Sequence, residues 1–477
     1  MSRILSRLID AVFEFLSSLK LAVIVVLGLA AAMTVATFIE SLYDIPTGRY
    51  WVYETLWFYG LLALLGVNIF CVAMSRYPWK AKHGPFLMAH VGILLLLGGS
   101  WVTYQFGLDG NLRIPEGTTQ SQVELNRPHL ILSDGTEAFA VPVPWQPPSV
   151  PFKEINTGHH GLRITRYITF ADNDVSFVPT ELRTPQVRPA IKIRIEGGPM
   201  RIKQEYWLWG GSPEWRKVQA GPALLELDPV EGIGSEPKAE GAVPGGPRLV
   251  VRTLPDGVSL QSETTDAATG KPISRKISLK DSDASEKVLD LGWKAGVKIT
   301  LVSWIRHAQT QVSYVPSKIQ YGTRAPTSAI YLVAGPGGPG AEMWLGLGDR
   351  ALLSVDSKDI TVSYQNQRVP LPFGVELKEF KMTYYEGTRD PASYASQVSV
   401  IDGPTPGELS WISMNEPLQY AGITFYQASY EPAEPRPTVT VLSVNRDPGR
   451  ELKYIGSLLI VLGSIWLFAV KYYRKAK

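Results

Sequence analysis

Hydrophobic and polar positions divide the chain into two unlike kinds of segment. Runs without an acidic or basic (Asp, Glu, Lys, Arg) residue occupy 21–39, 55–75, 84–104 and 454–470. A run of 19 residues, such as Leu21 to Ile39, rises far enough to cross a hydrocarbon layer of ~30 Å. The last run is shorter but is followed at once by basic residues, so four transmembrane helices are expected. A cleavable signal peptide is the competing reading of the first run, but an apolar signal core usually stops at about 15 residues. Ahead of it, residues 4–16 place Ile, Leu, Val and Phe at helical spacing. That spacing predicts an amphipathic helix lying on the inner leaflet, within an N-terminal segment of residues 1–20.

Residues 105–453 follow a different rule. Short stretches such as Gly161–Tyr167, Ile191–Ile195, Lys298–Val302 and Thr438–Leu442 alternate apolar and polar side chains, with Gly- and Pro-rich turns between them. Period-two alternation with one buried face predicts antiparallel sheets. The Gly/Pro-rich stretches 229–247 and 335–341 read as loops or subdomain joints, and no internal repeat of fixed period is present. The expected fold is therefore membrane α plus soluble β. Three spans lead into a large, mostly antiparallel β domain, and a fourth span with a basic tail (471–477) follows.

Charge orients this arrangement. The formal net charge is only +3, which is no signature of nucleic-acid binding, but its distribution is uneven. Arg3, Arg7 and Lys20, then Arg76, Lys80 and Lys82, then the tail around Lys471 and Arg474 are basic, whereas the segment with Glu40, Asp44, Arg49 and Glu54 is acidic. Lys/Arg-rich short segments stay in the cytoplasm, so both termini are expected inside and residues 105–453 outside. The single cysteine, Cys71, lies inside an apolar run. Internal disulfides, dithiol exchange and covalent haem attachment through Cys-x-x-Cys-His are thereby excluded for this chain.

One residue stands out against the apolar background. His90 sits inside the third span, where an ionisable side chain costs free energy and usually faces other helices or serves function. Its imidazole can ligate haem iron through one nitrogen while the other is oriented by an acceptor. It can equally make an interhelical hydrogen bond, worth ~0.6 kcal/mol on average. His83 lies seven residues earlier, ~10.5 Å along a helix axis, too far for both to bind one iron. The other three spans contain no histidine, so a trans ligand to His90 has to come from another protein. His129, His159, His160 and His307 fall in the β region. His159 and His160 are neighbours, and neighbours on a strand point opposite ways. No zinc, phosphate-loop or serine–histidine–acid signature occurs.

Several patches, taken in order, resemble a known family. They are Ser18–Ala22 with Thr37–Glu40, and Trp57-Phe58 with Leu64–Asn68, Cys71 and Arg76. After His90 come Gly107–Gly117, Leu371–Phe373, Glu379-Phe380 and Ser396–Val398, and last Asn415–Leu418 with Gly422–Gln427. Together with the span order they resemble the ResB/Ccs1-type proteins of system II cytochrome c biogenesis. Residues 120–360 carry none of these motifs.

The resemblance implies delivery of haem b to apocytochrome c outside the cytoplasm, jointly with a ResC/CcsA-type membrane protein. It implies a non-catalytic subunit of a haem-lyase complex in the inner or plasma membrane, and it matches His90 to the family's third-span histidine. His83 is a secondary haem-binding expectation. The partner's Trp-rich haem motif is missing here; Trp207 and Trp209 are the nearest approach. A ligand-binding sensory protein is the alternative, disfavoured by a short basic tail with no output domain. A transporter is disfavoured by the lack of repeats or a charged membrane pathway.

Overall fold

The computed structural model describes residues 2–181, 188–197, 202–228, 246–265, 272–293, 297–317, 327–335, 342–355, 358–388, 390–403, 407–432 and 436–475. Most of the Gly/Pro-rich stretches 229–247 and 335–341 lies outside them. Five long helices are present: α1 (Ser2–Leu16), α2 (Leu19–Leu42), α3 (Leu56–Met74), α4 (Gly84–Phe106) and α5 (Arg450–Lys475). Four of these, all but α1, are long and apolar enough to cross a membrane. The strands lie in sequence between α4 and α5.

Local chemistry sets the helix ends. The Ser18 hydroxyl accepts from Leu21 N–H and caps α2, and the Thr55 hydroxyl accepts from Phe58 N–H and caps α3, each satisfying a backbone donor that has no intrahelical partner. Asn68 is a polar residue deep in α3, only 1% exposed. Its side-chain amide donates to the Leu16 carbonyl at 2.6 Å and the Ser18 carbonyl at 3.3 Å. It thereby satisfies carbonyls at the end of α1, and its cost in an apolar helix is offset.

Helices α4 and α5 run antiparallel along a seam of glycine. Pro85, Gly92 and Gly99 on α4 are buried. Gly449, in the turn just before α5, and Gly456 and Gly463 on α5 repeat at the same seven-residue interval. A β-carbon at Gly92 would lie 2.7 Å from the Gly456 carbonyl oxygen, and one at Gly99 2.9 Å from that of Gly449. Between apolar helices in lipid, association comes from such close backbone approach, because burial of apolar surface supplies little.

The chain forms two compact units, residues 1–169 with 328–477, and residues 170–327. In the first, strands β1 (Leu108–Pro115), β2 (Thr119–Ser133), β3 (Lys358–Tyr384), β4 (Pro391–Ile401), β5 (Leu409–Ile412), β6 (Leu418–Tyr420), β7 (Ile423–Glu431) and β8 (Val439–Arg446) form one antiparallel sheet. Their spatial order is β5-β4-β3-β2-β1-β8-β7-β6. One core gathers Leu112, Val123, Phe373, Val398, Ile412, Phe425 and Leu442 from most of these strands, so the sheet wraps round its own apolar face. The β6–β7 hairpin turns through Ala421 and Gly422, both at positive φ (49° and 75°), as a two-residue primed turn requires.

The second unit is a sandwich. One sheet runs Pro272–Lys280, Gly257–Thr265, Arg248–Leu254, Ala223–Leu227 and Lys217–Ala220; the other is built on Val297–Pro316, Arg188–Gly197 and Ile202–Trp209. Ile191, Ile193, Leu225, Leu249, Val258 and Leu301, from both sheets, share one core. The alternation read at Ile191–Ile195 is the alternation of buried and half-buried positions in that strand. Ala223–Leu227 and Arg248–Leu254 pair in parallel, an arrangement that period-two patterning does not reveal.

Candidate functional site: His90 and its supports

His90 lies in the second turn of α4 and is half-buried. Its Nδ1 is 2.8 Å from the Phe86 carbonyl oxygen. A carbonyl oxygen only accepts, so Nδ1 carries the proton and donates. The neutral ring therefore presents Nε2 with its lone pair, and among the described residues Nε2 has no hydrogen-bond partner. This is the tautomer a metal-ligating imidazole adopts when its other nitrogen is held by a backbone acceptor.

The ring is held on its flank as well. The Phe86 ring lies 3.8 Å from the imidazole, centroid to centroid, tilted by 36°. On Phe86 rests the Arg76 guanidinium, 3.5 Å from the ring centroid, a cation–π contact from the α3–α4 connection. That connection is itself tied by Trp79, whose indole N–H donates to the Ala73 carbonyl at 3.0 Å. Phe86 thus sets both the tautomer and the plane of His90.

His90 and Gly92 are two residues apart, about 200° around the helix. The imidazole is consequently on the side of α4 turned away from the seam with α5. Leu97, seven residues on from His90, projects toward Gly66 of α3. The interhelical hydrogen bond considered for His90 is not made among the described residues; its one bond runs within α4.

His83 is the N-cap of α4, the helix that carries His90. It closes a short 3-10 turn, Ala81–His83, and its Nδ1 faces the Lys80 N–H at 3.4 Å. This turn runs directly into α4, and the two rings occupy different settings. The remaining histidines lie in the β region. His159 stacks on Phe139 at 3.7 Å, His160 adopts a left-handed φ of 52°, and His129 Nδ1 bonds the Arg127 carbonyl. His307 lies in strand Val297–Pro316. Trp207 and Trp209 pack around Phe177 with Trp215, as a core cluster. Among the described residues no three His, Cys, Asp or Glu side chains gather as a metal site.

Two features were not visible as motifs. Ser396, Gln427 and Thr440 form a buried polar triangle across β4, β7 and β8. The Ser396 hydroxyl reaches Gln427 Oε1 at 2.6 Å, and Gln427 Nε2 donates to the Thr440 hydroxyl at 2.9 Å. Ser396 and Gln427 both belong to patches that carried the family resemblance, and period-two alternation sets Gln427 on the face of Ile423 and Phe425. The second feature is a polar cavity of about 640 Å³ where β1, β7 and β8 meet the start of α5. Its wall includes Asp447, which accepts from Lys453 Nζ at 2.6 Å and from the Thr103 hydroxyl. Burial raises the Asp447 carboxyl, but these bonds outweigh it and hold the group below the usual carboxylate range.

Part of the chain is similar to known proteins. Residues 341–441 match the ResB-like family, a segment running through β3 to β7 and into β8. The chain is also similar to Protein NrfI of Wolinella succinogenes, 38% identical over 115 residues, which is 24% of this chain and 12% of that protein. The chain thus spans about an eighth of the length of this curated relative. Over that segment the chain is similar to ResB-type proteins.

Proposed function

We propose that this chain is a membrane-held subunit of a cytochrome c synthetase complex, in which His90 would hold the iron of haem b through Nε2. The observation that carries the reading is the fixed tautomer of His90, with Nδ1–H spent on Phe86 and Nε2 unspent. Haem, when bound, supplies the iron and the vinyl groups that become thioethers on the client. This chain's part is to hold the imidazole plane through Phe86 and Arg76 and to keep Nε2 basic. Sited in a span, the ring is also shielded from bulk water by its apolar neighbours.

The second ligand comes from a ResC/CcsA-type membrane partner, since His90 faces away from α5 and the other described spans hold no histidine. The Lys/Arg distribution supports cytoplasmic termini and an extracytoplasmic β region. There the curled sheet and its exposed strand edges serve to receive apocytochrome c by shape and backbone pairing. No thioether-forming base is assigned to this chain.

The test is maturation of a reporter cytochrome c, with haem content of the copurified complex read alongside. His90→Ala is expected to lower haem occupancy about tenfold or more, as loss of a ligand or its orienting partner typically does. Added imidazole is expected to restore part of it by entering the vacated position. His83→Ala is expected to retain most maturation. Haem occupancy and maturation both unchanged in His90→Ala would remove the assignment.

A further inference from the structure

The cavity at the head of α5 has features that the haem reading does not use. Asp109 on β1 and Arg450 at the start of α5 both line it, with Tyr426, Tyr454 and the Asp447–Lys453 pair. Lys453 is already neutralised by Asp447. Arg450 is not: its only side-chain bonds are two long ones, 3.4 Å, to the Thr424 hydroxyl. Neither Arg450 nor Asp109 forms an ion pair among the described residues. One guanidinium and one carboxylate thus border the same space of about 640 Å³ without neutralising each other, in a volume typical of small-ligand sites, roughly 300–1,000 Å³.

The place of the cavity narrows the ligand. It opens where α4 ends and α5 begins, the level at which two of the apolar helices leave their apolar stretch. Below it on α5, Tyr454, Leu458, Val461 and Ile465 are exposed and recur at helical spacing, giving an unbroken apolar track down the helix. Polar cavity above and apolar track below match an amphiphile with a charged head and acyl chains. The head needs an anion for Arg450, which a phosphate fits through the guanidinium fork. It also needs a hydrogen-bonding cation for Asp109, which a primary ammonium fits.

We infer that this cavity binds the headgroup of a phosphatidylethanolamine-class phospholipid, its phosphate on Arg450 and its ammonium on Asp109, with acyl chains along α5. The inference rests on α5 crossing a membrane, but it does not require His90 to bind haem.

The full-length chain, purified in mild detergent after exchange into equal amounts of phosphatidylethanolamine and phosphatidylcholine, is read by native mass spectrometry. Wild type is expected to retain phosphatidylethanolamine in preference. Arg450→Gln is expected to lower retention of both lipids about tenfold, the worth of a lost charge-assisted hydrogen bond. Asp109→Asn is expected to retain both lipids but abolish the preference, because a quaternary ammonium never donates to that carboxylate. Equal retention in wild type and both variants overturns the proposal. So does displacement of the lipid by inorganic phosphate, which would make the site one for free anions. A reporter fused after Lys477, read as cytoplasmic or exported, tests α5 as a span separately, and melting curves of the variants report any loss of fold.

Discussion

Along α4, the side holding Pro85, Gly92 and Gly99 is closed by α5 down to backbone contact, whereas the side holding Phe86, His90 and Leu97 is covered only in part. The first side has no unspent chemistry: glycine carries no side chain, and the seam leaves no space for one. The second side carries an imidazole whose orientation is fixed and whose Nε2 is unused. One face of the helix is completed by its own chain, and the other presents a ring nitrogen with no hydrogen-bond partner among the described residues. The part of the span closed by α5 is thus distinct from the part that carries His90.

The largest effect is expected on the closed side. Gly92→Leu forces a side chain into space where even a β-carbon would sit 2.7 Å from a backbone oxygen. It is expected to cost ~3 kcal/mol, the upper range for overpacking, read as a large fall in melting temperature or loss of folded protein. The adjacent glycines Gly98 and Gly99 sharpen the point. A β-carbon at Gly98 meets nothing within 4 Å, whereas one at Gly99 lies 2.9 Å from the Gly449 oxygen. Gly99→Ala is therefore expected to lower the melting temperature and Gly98→Ala to leave it within error. Equal effects would break the seam.

A second contrast lies in the curled sheet, between its apolar core and the Ser396–Gln427–Thr440 triangle. Gln427→Leu leaves two buried hydroxyls short of a partner, and ~1–3 kcal/mol is expected to be lost on that account. Combining it with Ser396→Ala is expected to cost less than the sum, because the two share one network. Strict additivity in chemical denaturation would show that the triangle is not coupled.

These two contrasts also show how far the chain can be read before it is folded. The spans were readable because a run of apolar residues such as Leu21–Ile39 is a local signal, and His90 was readable because it interrupts one. Strands such as Arg188–Gly197 announced themselves by alternation. Strand order did not, since β1 pairs with β8 from the far end of the chain and a β-strand carries no label for a distant neighbour. The inserted sandwich of residues 170–327 was equally hidden, because its composition matches that of its surroundings. Asp109 and Arg450 are ordinary charged residues in sequence; only the fold sets them at one cavity.

The smallest expected effect concerns Asp447, which ties the end of α4 to the start of α5 through Thr103 and Lys453. Its carboxyl is depressed in the folded protein, so its contribution is present above the ordinary carboxylate range and is lost as pH falls through the folded value. Asp447→Asn is expected to lower stability by about 1 kcal/mol near neutrality and to flatten the acid limb of the melting-temperature profile. An unchanged acid limb would remove this link from the account.

The open side of α4 is tested most directly by the visible spectrum of the chain copurified with its membrane partner, comparing wild type, His90→Ala and His90→Gln. If Nε2 is an axial ligand, wild type carries haem with a six-coordinate, low-spin spectrum. Both variants then lose that spectrum, and added imidazole restores it in His90→Ala. A wild-type spectrum from His90→Gln, which keeps a hydrogen-bonding side chain but is a poor iron ligand, would contradict the account.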